Sequence, residues 1–147
     1  MINRIIFQRC GFTVGEVLFT LGTLGVLLTI AMPQIQQVRL INTLDSGQQA
    51  VASTLLRARW LAINRGLQHF VTLSGSNVLQ IRSGSATGTV VNSTDLSNYS
   101  VTVDDFTAFA FDVRGFLATS KTLTVRQPDL PATKNVIVGL YGKLTVQ

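Results

Sequence analysis

Between Arg9 and Arg39 the chain carries one charged side chain, Glu16, and residues 17–38 carry none. The stretch from Phe12 to Met32, closed by Pro33, is apolar nearly throughout. A bilayer core is crossed by ~20 mostly apolar helical residues, so the run is long enough to span one. Arg4 and Arg9 precede it, and no acid stands before Glu16. The positive-inside rule then keeps the N-terminus cytoplasmic and sends the remainder across the membrane. The same run accounts for a mean hydropathy of +0.37 in a chain whose formal net charge is +5. Low charge density excludes a disordered tail and a charge-dense nucleic-acid arm. One Cys and one His leave no material for a Cys/His zinc site or an internal disulfide.

A cleaved secretory signal has a shorter apolar region and a small-x-small site. The best such site here, Thr29-Ile30-Ala31, is followed by Met32-Pro33. A lipoprotein signal is set aside because Phe7-Gln8-Arg9 precedes Cys10. A plain anchor leaves Glu16 unexplained, since an ionisable group inside an apolar span normally has a partner and a function.

Arg9-Cys10-Gly11-Phe12-Thr13-Val14-Gly15-Glu16 resembles the prepilin processing site of type IV pilins and type II secretion pseudopilins. That pattern is a short basic leader ending in Gly, then Phe-Thr, two usually aliphatic residues and Glu; Gly15 departs from it. The resemblance implies cleavage between Gly11 and Phe12 by prepilin peptidase and N-methylation of Phe12. It also implies that Glu16 of one subunit neutralises the Phe12 amine of its neighbour and fixes register in a filament. Such a pair is strong at low dielectric, and either partner alone is costly there. Pro33 either ends the anchor helix or kinks it. The helical pattern beyond it favours a kink, as the resemblance also implies. Gly22 and Gly25 do not form a GxxxG pair.

After Pro33, Ile41, Leu44, Val51, Leu55, Ala58 and Ala62 fall on one helical stripe. Gly66 is the expected stop, and Gly47 is a candidate break with Asp45 or Ser46 as a cap. Four regions follow: a leader, 1–11; a transmembrane or filament-core helix, 12–33; its amphipathic continuation, 34–66; and a β-rich domain, 67–147. In the last, His69–Ser74 and residues 78–82 read as a hairpin across Gly75-Ser76-Asn77. Residues 83–98 read as a loop with a short strand at 89–91. Further strands are expected at 99–103, at 106–113 with Phe109, Phe111 and Val113 on one face, around Leu123 and Val125, at 136–141, and at Leu144–Val146. The fold class is α+β: a long N-terminal helix packed on a C-terminal antiparallel sheet or small sandwich.

The stretch from Leu56 to Gly66, Phe111-Asp112-Val113-Arg114-Gly115 and the segment from Val138 to Val146 are similar to the helix end, hairpin and closing strand pair of GspH/FimT-type minor pilins. The resemblance implies a non-enzymatic subunit held in the inner membrane, with membrane lipid around its anchor, and then drawn into a pilus or pseudopilus. Its partners would be prepilin peptidase, the inner-membrane assembly platform, and major and minor pilins; its role would be to prime the filament or sit at its tip. No cofactor or metal is implied.

Some relatives of this type bind DNA through a basic Gly-Arg-x-Arg-like motif in the final hairpin. The matching stretch is Gly142-Lys143-Leu144-Thr145, so Lys143 is the candidate contact and Thr145 stands where a second cation is expected. Loss of Arg4 and Arg9 with the leader leaves ten basic against seven acidic side chains, a modest attraction for phosphate. Arg57, Arg59, Arg65, Arg82, Arg114, Lys121, Arg126 and Lys134 are dispersed in sequence, and Trp60, Tyr99 and Tyr141 are expected in packing. His69 reads as a surface or edge residue, and Asp104-Asp105 as a turn or solvated loop.

Overall fold

The computed structural model describes residues 12–147; the expectations for the leader, including Gly11 and Cys10, lie outside them. One helix, α1 (Val14–Arg65), is followed by eight strands. They are β1 (His69–Ser74), β2 (Val78–Ser83), β3 (Val90–Asp95), β4 (Thr102–Asp104), β5 (Phe109–Phe111), β6 (Lys121–Arg126), β7 (Thr133–Val138) and β8 (Leu144–Val146). The described residues fall into two compact units that part between Gln37 and Val38.

In the first unit, α1 begins with a reciprocal cap. The Thr13 N–H and hydroxyl both donate to Glu16 Oε2 at 2.9 Å, and the Glu16 N–H donates to Thr13 Oγ1 at 3.3 Å. This Thr-x-x-Glu capping box satisfies donors that a helix start leaves open. The helix continues through Pro33. Along it the Thr20, Thr23 and Thr29 hydroxyls each donate to the carbonyl three residues back, at 2.7–2.9 Å. The span has a mean hydropathy of 1.9 and is unburied.

In the second unit, α1 is continuous across Gly47, and the break considered there does not occur. A Cβ at Gly47 would lie 2.6 Å from Val101 Cγ2. The glycine therefore serves close packing of the β4 approach against the helix, and neighbouring helical residues hold the backbone. Gly66, at φ +61°, terminates α1 as expected. Leu44, Val51, Leu55, Ala58 and Ala62 are buried, with Leu61 beside them. Ile41 is 46% exposed, against expectation, because burial of the stripe begins only at Leu44.

The strands form two antiparallel four-stranded sheets, ordered β3-β2-β1-β5 and β4-β6-β7-β8. The chain leaves the first sheet after β3, makes β4 in the second, returns as β5, and then enters the second sheet between β4 and β7. Inward residues alternate as pleating requires. Val71 pairs with Ile81 and Phe109 in the first sheet, and Leu123 pairs with Val136 in the second. These side chains and the α1 stripe share one apolar core. Burying each large member contributes about 1.5–3 kcal/mol.

Four strand expectations need correction. The strand expected at 136–141 is β7, Thr133–Val138: it starts early because Thr133 still pairs with Arg126, and it stops because the Gly139 N–H donates to Lys143 O and the Gly142 N–H to Gly139 O, closing a turn. β3 runs to Asp95, well past Val91, because Asn92, Ser93 and Thr94 pair along β2 while lying at a sheet edge where polar side chains stay partly solvated. Residues 97–99 form a 3-10 turn rather than a strand start, and Ser100 turns through φ 52° before β4. β5 stops at Phe111, leaving Val113 49% exposed. Asp112 causes the stop: its Oδ1 accepts from the N–H groups of Arg114 and Phe116 at 2.9 and 2.7 Å, bending the chain out of the sheet.

Candidate functional site

Two surfaces carry the candidate residues. The first is the start of α1. Phe12 is 83% exposed, and Val14, Leu18, Phe19, Leu21 and Leu24 are also open. Among the described residues, both Thr13 contacts to Glu16 fall on the same oxygen, Oε2. The Glu16 carboxylate is thus already oriented by its own helix, which the sequence reading missed although Thr13-Val-Gly-Glu16 spells the box. Pro33 lies within α1.

The second surface is where the C-terminal turns of α1 meet two hairpins. Arg59 Nη1 donates to the Gly142 carbonyl at 2.9 Å. Gly115 and Gly142 both sit at positive φ, +77° and +70°. A Cβ on Gly115 would lie 2.8 Å from Ile63 Cδ1, and one on Gly142 would collide with Gly115 O and the Arg59 side chain. Only glycine meets both demands, turn and contact, at these two sites. The Leu117 N–H donates to Leu140 O at 2.8 Å, tying the hairpins together. Phe116 and Tyr141 pack edge to face, 5.6 Å between ring centres.

Around this junction the side chains stay open. Trp60 is 62% and Tyr141 74% exposed, with Leu56 and Ile63 about half exposed. Trp60 is therefore not a core residue. Leu56, Arg57, Arg59, Trp60 and Ile63 line a groove of about 440 Å³ on the helix. Lys143 is exposed in the β7–β8 turn beside Gly142, and its carbonyl accepts from the Gly139 N–H at 2.8 Å. The structure thus gathers Arg57, Arg59, Trp60 and the final hairpin, which the sequence left dispersed. It does not add Arg82, whose guanidinium ties Gln80, Thr72 and the Gly88 carbonyl together elsewhere. Arg126 pairs with Asp104 at 3.9 Å and Lys134 pairs with Asp45, so these two cations are also engaged.

His69 is neither at the surface nor at an edge: it is fully buried on β1, an interior strand. It shares the inward face with Val71, opposite Phe111 in register. Its Nδ1 lies 2.8 Å from Leu67 O, and Nε2 has no partner among the described residues. The period-two pattern through Val71 was the signal that could have placed it inside. Asp105 sits at φ 52° just after β4, apart from the Asp104–Arg126 pair. Among the described residues no three His, Cys, Asp or Glu side chains gather.

No family model matches the chain. Over 75 residues it is 41% identical to the pilin-like protein PilA1 of Thermus thermophilus; the match takes in 48% of this chain and 47% of that protein. The chain thus spans about half the length of this curated relative. Among solved structures it is similar to the type IV minor pilin FimU of Pseudomonas aeruginosa, with TM-score 0.60 and 18% identity over 72% of this chain and 89% of that one. The chain has the type IV pilin fold. The same pilin fold is seen in the minor pseudopilin EpsH of the Vibrio cholerae type 2 secretion system, with TM-score 0.56 and 17% identity over 71% of this chain and 95% of that one. In this pilin-fold chain, the apolar half of α1 is long and apolar enough for a single-pass anchor.

Proposed function

We propose that the chain is a non-enzymatic assembly subunit of a type IV pilus or a related pseudopilus. Residues 1–11 are its leader, cut between Gly11 and Phe12 by prepilin peptidase, which also methylates the Phe12 amine. Residues 12–33 hold it in the inner membrane, N-terminus cytoplasmic and residues 67–147 periplasmic. The assembly platform then draws it into a filament of major and minor pilins, where it primes growth or sits at the tip. Glu16 pairs there with the Phe12 amine of a neighbour.

The observation that carries this reading is the uncovered apolar half of α1 on a chain of pilin fold. Its side chains need an apolar surrounding, first lipid and then other helices. The Thr13 contacts support the role of Glu16, since a carboxylate held by its own cap is already aimed when a partner amine arrives. Intact mass of the native protein tests the cut: a chain beginning at N-methylated Phe12 is expected, and an unprocessed chain overturns the reading. Glu16→Ala should still be cut and should fail to enter filaments. Loss of piliation, against loss of protein export, then separates pilus from secretion pseudopilus.

A second reading rests on Lys143, exposed in the β7–β8 turn with exposed Tyr141 two residues away. Cations interleaved with aromatic faces suit nucleic acid. Salt-dependent binding of duplex DNA that weakens in Lys143→Ala would support it; absence of binding at low salt would remove it.

A further inference from the structure

We infer that the groove at the C-terminal end of α1 is a docking site for an amphipathic, acid-bearing helix of a different protein. Leu56, Trp60 and Ile63 stand four and three residues apart, so they line one exposed face of the helix, separate from the buried stripe of Leu55, Ala58 and Ala62. A helix with two apolar faces has a second partner to bury. The groove lies on that helix face, and its border toward the hairpin turns is already fixed: Arg59 is held on the Gly142 carbonyl, Ile63 abuts Gly115, and Phe116 braces Tyr141. Exposed Trp and Tyr flanked by Arg is the composition that dominates protein interface hot spots. An apolar strip at helical spacing along an open groove is the complement of an amphipathic helix laid into it.

Charge selects the occupant. Arg57 and Arg59 line the groove and Lys143 stands at the β7–β8 turn beside it, while the nearby Asp112 carboxylate is engaged with the Arg114 and Phe116 N–H groups. The occupant therefore brings carboxylates at the edges of its apolar face. A second copy of this chain does not supply them. Glu16 is held by Thr13, Asp45 and Asp104 are paired to cations, Asp95 and Asp112 hold backbone N–H groups, and Asp105 and Asp129, though exposed, lie in loops and not on a helix with an apolar face. Nucleic acid fits less well, because Leu56 and Ile63 offer nothing to a phosphate and one Arg59 nitrogen is committed to Gly142. This inference does not rest on the assembly reading, which is tested at Phe12 and Glu16, so each can fail alone.

Trp60 is the single tryptophan of the chain, so its emission reports on the groove directly. The experiment titrates the full chain, in detergent micelles, with a synthetic amphipathic helix built of leucine and glutamate. A peptide with lysine in place of glutamate and a single-stranded thymine oligonucleotide are the comparators. A saturable blue shift is expected with the glutamate peptide, weakened about tenfold or more by Leu56→Asp, an exposed position. Arg57→Glu should weaken the glutamate peptide and strengthen the lysine peptide. Circular dichroism confirms that both variants are folded. Equal response to both peptides, preference for the oligonucleotide, no response, or indifference to both substitutions overturns the proposal.

Discussion

The two halves of α1 use the same kind of residue to opposite ends. Before Gln37, the hydroxyls of Thr20, Thr23 and Thr29 bond only to their own helix, three residues back. Gly22 and Gly25 have no neighbour within reach of a Cβ, and large apolar side chains stand open on every face. After Val38, polar side chains reach far along the chain: Thr43 to Gln127, Gln48 to Asn135 and Gln147, Thr54 to Thr94, Arg59 to Gly142. Gly47 is crowded by Val101, and the apolar residues form a buried stripe. The first half satisfies its backbone and hydroxyls alone, as a helix in an apolar medium must. The second half is the spine of a domain, and its stability is tertiary. Hydrophobicity already separates the two along the sequence; in the structure the reach of the hydrogen bonds and the surroundings of the glycines separate them as well.

The largest test of that contrast is a paired truncation. Leu55 is fully buried and Leu24 is 55% exposed. Leu55→Ala should lower the unfolding free energy of the β-bearing unit by about 2–5 kcal/mol, transfer and cavity terms together. Leu24→Ala should leave that transition where it is. Denaturant titration followed through strand circular dichroism measures both, and equal losses would erase the distinction.

Next come the glycines. Gly47→Ala places a methyl 2.6 Å from Val101 Cγ2 and should cost about 1–3 kcal/mol by overpacking, despite the better helix propensity of alanine. Gly25→Ala meets nothing and should leave the domain untouched. If Gly47→Ala stabilises, propensity has outweighed contact and the packing role assigned to Gly47 is wrong. The third pair contrasts reach. Gln48 is 4% exposed and its Nε2 donates to the carbonyls of Asn135 and Gln147 at 2.9 and 2.8 Å. Gln48→Leu should cost about 1–3 kcal/mol, at ~0.5–1.5 for each of the two hydrogen bonds lost, while the Asn135 and Gln147 carbonyls keep the N–H donors they exchange with each other. Thr23→Val, in the other half, loses only a bond within its own turn. Thermal unfolding should shift for the first variant alone.

What the sequence made legible follows from where the deciding contacts lie. The apolar run, the buried stripe and the Gly66 stop are written in local periodicity and punctuation, and the α+β class follows from them. Inward alternation at Leu123 and Val125 was equally local. The continuity of α1 at Gly47 was not, because Val101, more than fifty residues away, explains the glycine. His69 was misplaced by its polarity, although the parity of Val71 marked its face. The surface around Arg59 could not be read at all: Gly115 and Gly142 become neighbours only through the pairing of the two hairpins. The Thr13–Glu16 cap, by contrast, was available in four consecutive residues and was passed over because Glu16 was read only as a partner for another subunit.

The smallest expected effect concerns a contact in the domain that behaves like those of the anchor. Asp95 ends β3, and its carboxylate accepts from the Ser97 N–H at 2.8 Å, two residues on. The Ser97 hydroxyl and this N–H together hold the Asp95 carboxyl below its ordinary value. A carboxyl whose folded value is depressed favours the native state only when ionised. Its contribution is therefore complete above the ordinary aspartate range, near ~3.9, and disappears as pH falls through the folded value. Because the side chain is open to solvent, screening keeps the contribution small. Asp95→Asn should unfold at nearly the same denaturant concentration as the parent in strong acid and slightly earlier near neutrality, with the gap opening below pH ~4 and flat above it. A gap that is constant with pH would mean that Asp95 acts through shape alone. A gap as large as that of Gln48→Leu would show that local contacts stabilise this domain as much as long-range ones, and would undo the division between the halves of α1.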